Sequence, residues 1–270
     1  MTKISVVTTF NQKGLKKYGQ SMIDSFENYW PPEIDLWVYA EDCDPRCARD
    51  NTYVRDITIV EDLNQFKAKW KDVPKANGVC PPEIKSRRPR DWHKEFKWDA
   101  VRFSHKVYSI FHCAKNCGAD ILFWMDGDTY CHSPITTEQI LDLLPQQHDL
   151  YYVGRERKWP ECGLYALDLN SSKAQEFLAE FQRVYDDAEN GIFTMEEWHD
   201  SYVFEQVRQS IKDLKSLNWT EGLIKGEGHP IINSEWGAYL DHLKGDRKDL
   251  GRSKATDLLK PRTEEYWNAK

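Results

Sequence analysis

The stretch ADILFWMDGDTYCHSP, Ala119 to Pro134, decides how the rest of the chain is read. Its first half, Ile121-Leu122-Phe123-Trp124-Met125, is an unbroken apolar run of strand length. That is the pattern of a strand buried on both faces, and such strands belong to largely parallel sheets covered by helices. Asp126 and Asp128 stand where the strand must end, with Gly127 between them. Burying two carboxylates without partners costs several kcal/mol. Either a cation meets them at that edge or they lie solvated in a turn.

Working outward, Phe103, Val107, Ile110, Phe111 and Ala114 form one apolar stripe and predict a helix that stops near Gly118. Arg102 and Lys106 lie one turn apart beside that stripe. Nearer the N-terminus, Lys3 to Asn11 reads as a first strand, and Tyr18, Met22, Ile23 and Phe26 trace a helix stopped by Pro31-Pro32. Ile34 to Asp42 is a second strand and Val54 to Val60 a third. Downstream, Asp149 to Arg157 and Gly163 to Leu169 read as strands. A capping box over Ser172 to Gln175 opens another amphipathic helix, and a further helix is expected over Glu196 to Ile211. Residues 64–92 read as a long loop, and about 212–270 as an irregular C-terminal segment. No repeat or linker divides the chain. The expectation is one α/β domain over residues 1–270, with a mostly parallel central sheet flanked by helices.

A chain of 270 residues is long enough to bury a sizeable core. Its formal charge of −7 argues against a protein that holds nucleic acid by its phosphates. The basic run Ile84 to Arg90 goes against that trend and reads as a solvated loop. The 11 Trp, 13 Tyr and 11 Phe read first as core, although aromatic faces also suit sugar rings and bases. No apolar stretch approaches membrane-spanning length, and strand pattern begins almost at once, so no membrane span is expected. Seven cysteines is an odd count that suits reduced thiols of a cytoplasmic protein. Cys43 and Cys47, like Cys113 and Cys117, stand four apart without a histidine or cysteine cluster to complete a zinc site, and read as structural.

If the backbone stays extended, Asp126 and Asp128 leave the same face. Two hard oxygen ligands at a strand end suit Mg²⁺ or Mn²⁺, which also takes phosphate oxygens. An Asx-rich turn after a strand has the same spelling.

ILFWMDGDTY resembles the D-x-D segment of nucleotide-sugar glycosyltransferases of the GT-A type. DHLKGDRK, Asp241 to Lys248, carries His242, Gly245 and Lys248 at the spacing H-x-x-G-x-x-K. It resembles the C-terminal motif of the retaining, glycogenin-like and bacterial galactosyltransferase-like branch. That branch usually continues Pro-Trp, where Asp249-Leu250 stands here. The resemblance implies a GT-A-like fold and a sugar moved, with retention, from a nucleotide diphosphate to a carbohydrate or other hydroxyl acceptor. It implies Asp126, Asp128 and His242 as ligands of Mn²⁺ or Mg²⁺, with Gly245 and Lys248 meeting the diphosphate of the donor, a UDP-sugar ahead of a GDP-sugar. Thr8 and Asn11, with Glu41 and Asp42, fall where these enzymes hold base and ribose. Arg102 and Lys106 fall where a basic residue faces the donor. Asp200, in EWHDSYVFEQV, falls where an aspartate lines the sugar and acceptor pocket and is the expected catalytic group; a helix N-cap is an equal use of it. Segment 212–270 is expected to close the donor site.

Three other readings compete. A glycoside hydrolase needs carboxyls flanking the bond across the sugar, whereas Asp126 and Asp128 project on one side of one strand end. A haloacid-dehalogenase-like phosphatase also places D-x-D after an apolar strand, with Asp126 as nucleophile. Its motif normally opens the chain and continues Gly-Thr, whereas here Thr129-Tyr130 follows. A non-catalytic carbohydrate-binding module would use the aromatics but has no need of the acids together with the distant His-Gly-Lys set.

Overall fold

Strand β1 (Ile4–Asn11) sends Ile4 and Val6 to one side and Val7 to the other, and all three are buried. The same alternation runs through β2 (Asp35–Glu41), with Leu36 and Val38 opposite Trp37 and Tyr39. In β4 (Ile121–Met125), Phe123 faces away from Leu122 and Trp124. Strands buried on both faces need helices on both, and the computed structural model, which describes residues 2–88, 90–221 and 229–268, supplies them. One face is covered by α1 (Gln20–Tyr29) through Met22, Ile23 and Phe26, together with Trp219 and Trp236. The other is covered by α2 (Glu61–Trp70), α3 (Ala100–Asn116), α4 (Ser172–Asp186) and α5 (Asp200–Ser210). Each fully buried large apolar side chain contributes about 2 kcal/mol. The abundant aromatics are mostly used this way: Trp30, Trp236 and Trp219 surround Phe123 at 5.9, 5.6 and 6.4 Å between ring centres.

The remaining strands are β3 (Thr52–Asp56), β5 (Thr129–Cys131), β6 (Leu150–Arg155), β7 (Lys158–Asp168), β8 (Ser216–Asn218) and β9 (Leu240–His242). Among the described residues, seven make one sheet in the order β3-β2-β1-β4-β7-β6-β8, while β5 and β9 form a separate antiparallel pair. Within the sheet β7 runs antiparallel to β4 and β6, and every other pairing is parallel. The mixed α/β architecture with a mostly parallel sheet is as expected. Since β1, β2 and β4 are parallel, Asn11, Glu41 and Asp126 arrive at one edge, where ligands of such sheets collect. Among the described residues no helix is long and apolar enough to cross a membrane.

Several local expectations are corrected. The third strand ends at Asp56, because the Asp56 carboxylate accepts from the Thr58 amide and hydroxyl and turns the chain into a single 3₁₀ turn. Segment 64–92 is not one loop. Helix α2 enters it with Leu63, Phe66 and Trp70 buried, and a short helix covers Pro82–Arg87. Pro89, part of that segment and of the basic run, lies outside the described residues. Ser171, not Ser172, caps α4, accepting from the amides of Lys173 and Ala174. The helix expected from Glu196 starts at Asp200. Segment 212–270 holds β8, β9 and single helical turns at Pro230–Asn233, Arg247–Leu250 and Glu265–Asn268. Its residues 222–228 and 269–270 lie outside the described residues.

Candidate functional site

Strand β4 stops at Met125, where the Asp126 amide donates to the Gly163 carbonyl at 2.8 Å. The Thr129 amide then donates back to the Asp126 carbonyl at 3.0 Å, closing a turn around Gly127. A Cβ on Gly127 would stand 3.1 Å from the Phe10 ring, so the turn is seated tightly on the end of β1. The two carboxylates therefore converge through a turn, not through the extended alternation expected from their spacing. The β5–β9 pairing sets Thr129 opposite His242, and the Leu243 amide donates to the Asp128 carbonyl at 2.8 Å. That ladder carries His242 across 114 positions of sequence to the aspartates.

His242 Nε2 stands 3.1 Å from Asp128 Oδ1 and 3.5 Å from Asp126 Oδ2. One ligand atom from each of the three residues lies within 4.8 Å of the others. His242 Nδ1 is buried and has no partner among the described residues, while the His242 carbonyl accepts from His229 Nε2 at 2.7 Å. Gly163 makes room for the ring: a Cβ there would lie 2.6 Å from His242 Cε1. Burial alone would lower the imidazole pKa, but Asp128 foremost, with the hydrogen bonds to both aspartates, raises it to about 10. Two carboxylates ask for positive charge at this point, and a divalent ion on two oxygens and one imidazole nitrogen is chemically suited to it.

Lysines complete the cluster. Lys248 Nζ lies 2.7 Å from Asp128 Oδ2 and 4.9 Å from the centre of the Tyr18 ring. Gly245, in the left-handed region at φ 68°, turns the chain so that the helical turn bearing Lys248 follows at once. Burial works to raise the Asp128 pKa, yet His242, and Lys248 after it, hold it at about 2 against the repulsion of Asp126. Lys106 is buried, and its ammonium donates to Asp126 Oδ1 at 3.1 Å, to Asp200 Oδ2 at 2.7 Å and to the Cys162 carbonyl. Asp126 also accepts from Trp124 Nε1 at 2.7 Å. Against burial, the Lys106 charge and His242 keep its carboxyl far below the usual carboxylate range.

The structure thus joins six of the expected residues, Asp126, Asp128, His242, Lys248, Lys106 and Asp200, in one network. Asp200 is not the N-cap of α5; His199 is, and Asp200 begins the helix with Oδ1 accepting from the Ser201 amide at 2.8 Å. Lys106 has its donors engaged inside the protein, so it orients two carboxylates and has little left for a ligand. The expected base and ribose residues are more scattered. Thr8 is fully buried inside β1 and has no surface to offer a ligand, which corrects its expected contact. Asn11 accepts from the Gly14 amide at 2.9 Å. Glu41 is paired with Lys67 at 2.7 Å and His105 Nε2 at 3.1 Å; the His105 hydrogen bond leads in lowering its pKa to about 2. Asp42 sits in left-handed backbone at φ 53°. Arg102 is exposed at the mouth of α3, and its charge reaches Tyr18.

Sequence reasoning missed Glu161 and Gly163. Glu161 is buried beside His242, with both oxygens 3.0 Å from Lys244 Nζ and one 3.4 Å from Arg155. Burial opposes its charge, but Lys244, His242 and Arg155 hold its pKa at about 2. A charged residue just before an apolar strand was the available signal. Comparison with protein-family models returns no match, and comparison with curated proteins returns none either, so the geometry carries the functional argument.

Proposed function

We propose that the chain is a metal-dependent glycosyltransferase that moves a sugar from a nucleotide diphosphate to an acceptor hydroxyl. The observation that carries this reading is the convergence of Asp126, Asp128 and His242 at the sheet edge, with ligand atoms within 4.8 Å of one another. Mn²⁺ or Mg²⁺ held there supplies Lewis acidity toward diphosphate oxygens. Lys248 stands at the outer oxygen of Asp128 and brings fixed positive charge to the place where a departing diphosphate gathers charge. Arg102, exposed at the same mouth, is a second such charge. Lys106 holds Asp126 and Asp200 at a set separation. Asp200, anchored by the first turn of α5, accepts hydrogen bonds from a sugar hydroxyl. Retention at the anomeric carbon and preference for a UDP-sugar rest on the likeness of the H-x-x-G-x-x-K segment. All seven cysteines are free, which suits the cytoplasm.

The test is release of nucleoside diphosphate from UDP- and GDP-sugars with Mn²⁺, Mg²⁺ or EDTA. The reading expects metal-dependent release that disappears in Asp128→Asn. A phosphatase would instead free inorganic phosphate from a monoester and carry a phosphoryl group on Asp126, lost in Asp126→Asn.

A further inference from the structure

Between β1 and α1 the chain does not wind as a plain α-helix. After one turn over Gln12–Gly14, capped by the Asn11 side chain, Leu15–Gly19 forms a π turn in which the Gln20 amide donates to the Leu15 carbonyl. Such turns are rare and recur at functional sites. Tyr18 belongs to this one and is half-buried. A Cβ on Gly127, between the two aspartates, would stand 3.4 Å from Tyr18 Cε2, and one on Gly14 would stand 2.8 Å from its hydroxyl oxygen. Both glycines thus make room for the phenol. Burial foremost, then Asp128 and Asp126, raises the Tyr18 pKa against the pull of Arg102, so the ring stays neutral.

Lys248 stands over this ring, its Nζ 4.9 Å from the ring centre and 2.7 Å from Asp128 Oδ2. The neighbouring residue of each segment also meets its counterpart, Lys17 Nζ lying 2.8 Å from Asp249 Oδ1. Two adjacent contacts therefore lay the Arg247–Leu250 turn against the π turn. The other lysines of the site are held differently. Lys106 faces the carboxylates of Asp126 and Asp200, and Lys244 faces both oxygens of Glu161. A carboxylate that holds a lysine also cancels its charge. A ring face attracts the ammonium through its quadrupole and brings no charge of its own. Lys248 shares Asp128 with His242 and takes the Tyr18 ring as its other support. A cation bound at Asp128 competes with Lys248 for that carboxylate but not for the ring.

We infer that Tyr18 is a positioning residue whose ring face holds the Lys248 ammonium beside the aspartates with its charge available to an anionic group of the ligand. The inference takes the identity of that group, a diphosphate, from the glycosyltransferase reading. It adds the residue that keeps the cation in place. The ring face does the holding, and the hydroxyl is not required.

The experiment begins with NMR of the metal-free protein carrying isotope-labelled lysine. The Lys248 Cε–H signal, assigned by its loss in Lys248→Arg, is expected to be displaced upfield by the ring in wild type and Tyr18→Phe, and to move downfield in Tyr18→Leu. UDP and inorganic pyrophosphate are then titrated by calorimetry with Mn²⁺. Affinity is expected to fall about fivefold in Tyr18→Leu and to stay near wild type in Tyr18→Phe. In a Lys248→Met background, Tyr18→Leu is expected to cause no further loss. A Lys248 signal that does not move in Tyr18→Leu overturns the inference. A loss that persists in the Lys248→Met background overturns it too, because Tyr18 then acts on the ligand or the fold directly. Mn²⁺-dependent UDP binding that Tyr18→Leu leaves unchanged overturns the positioning role and leaves the transferase reading standing. Pyrophosphate binding that depends on Tyr18 through Lys248, in a protein indifferent to UDP, supports the positioning role and contradicts the transferase reading. A protein that binds neither overturns both. Should Tyr18→Leu fail to fold, Tyr18→Met, which also lacks a ring face, puts the same question.

Discussion

Glu197 and the Asp126–Asp128 pair both take carboxylates out of water, with side-chain exposures of 1% for Glu197 against 29% and 11% for the two aspartates. Around Glu197, its carboxylate and that of Asp91 meet Arg88, Lys97 and His199, so every charge has a partner and the cluster is closed. At the sheet edge, two carboxylates meet His242, Lys248 and Lys106, yet His242 Nδ1 has no partner among the described residues and Asp126 stays partly open. The first arrangement ties residues 88–98 to the start of α5. The second gathers two carboxylates and an imidazole at an open end of the sheet, where a cation can join Lys248 and Lys106 in balancing them. The contrast separates charge placed for stability from charge placed for binding, and each substitution below tests that division.

The largest effect is expected at Glu197. Its replacement by alanine leaves the buried Lys97 and the half-buried Arg88 only the Asp91 carboxylate, at 3.3 and 3.9 Å, which costs about 3 kcal/mol and appears as a large fall in melting temperature. Asp128→Asn is expected to change stability by about 1 kcal/mol and to remove metal-dependent ligand binding. The reverse ranking would break the comparison.

The pH profile sharpens it. Burial disfavours the Glu197 charge, but His199 and Lys97 hold its pKa at about 2, below the ordinary 4.5. A carboxylate depressed in the folded state stabilises above its unfolded pKa, and that stability is lost as pH falls from about 4.5 to about 2. The loss is about 3 kcal/mol. Acid unfolding followed by circular dichroism is expected to show a steep decline in this window for wild type and a flatter one for Glu197→Gln.

Gly163→Ala comes next. Its Cβ would meet His242 Cε1 at 2.6 Å and push the ring off the aspartates, costing about 1–3 kcal/mol. A calorimetric Mn²⁺ titration is expected to weaken together with the melting temperature. The smallest effect belongs to the exposed Lys17–Asp249 pair, 2.8 Å apart: Lys17→Ala is expected to shift stability by less than about 0.5 kcal/mol in urea unfolding.

Much of the frame was legible because it is local. The apolar runs of β1, β2 and β4 and the stripe of α3 are written in consecutive residues, and the D-x-D at the end of β4 follows from them. Helix α2 was missed because its buried stripe, Leu63, Phe66 and Trp70, is thin among lysines and polar groups. Phe66 gains its burial from Tyr108 and Tyr185, rings that belong to other helices. The site divides the same way. Asp126 and Asp128 were legible by residue type and spacing, and His242 through the resemblance of its segment to a known motif. The bridging of Asp126 to Asp200 by Lys106 was not, nor was the Glu197 cluster, since Lys97 and Glu197 are 100 positions apart and nothing in either neighbourhood announces the other. Gly163 was read only as the start of a strand. Its requirement for a bare α-carbon comes from His242, on a strand that pairs elsewhere.

The most direct test of the central claim is a calorimetric titration of UDP into the protein with Mn²⁺ and then with EDTA, repeated on Asp128→Asn. Binding is expected to require Mn²⁺ and to disappear in the variant, while the variant keeps its fold. Binding of equal strength in EDTA, or an unaltered isotherm in Asp128→Asn, would contradict the assignment of Asp126, Asp128 and His242 to a metal-held diphosphate.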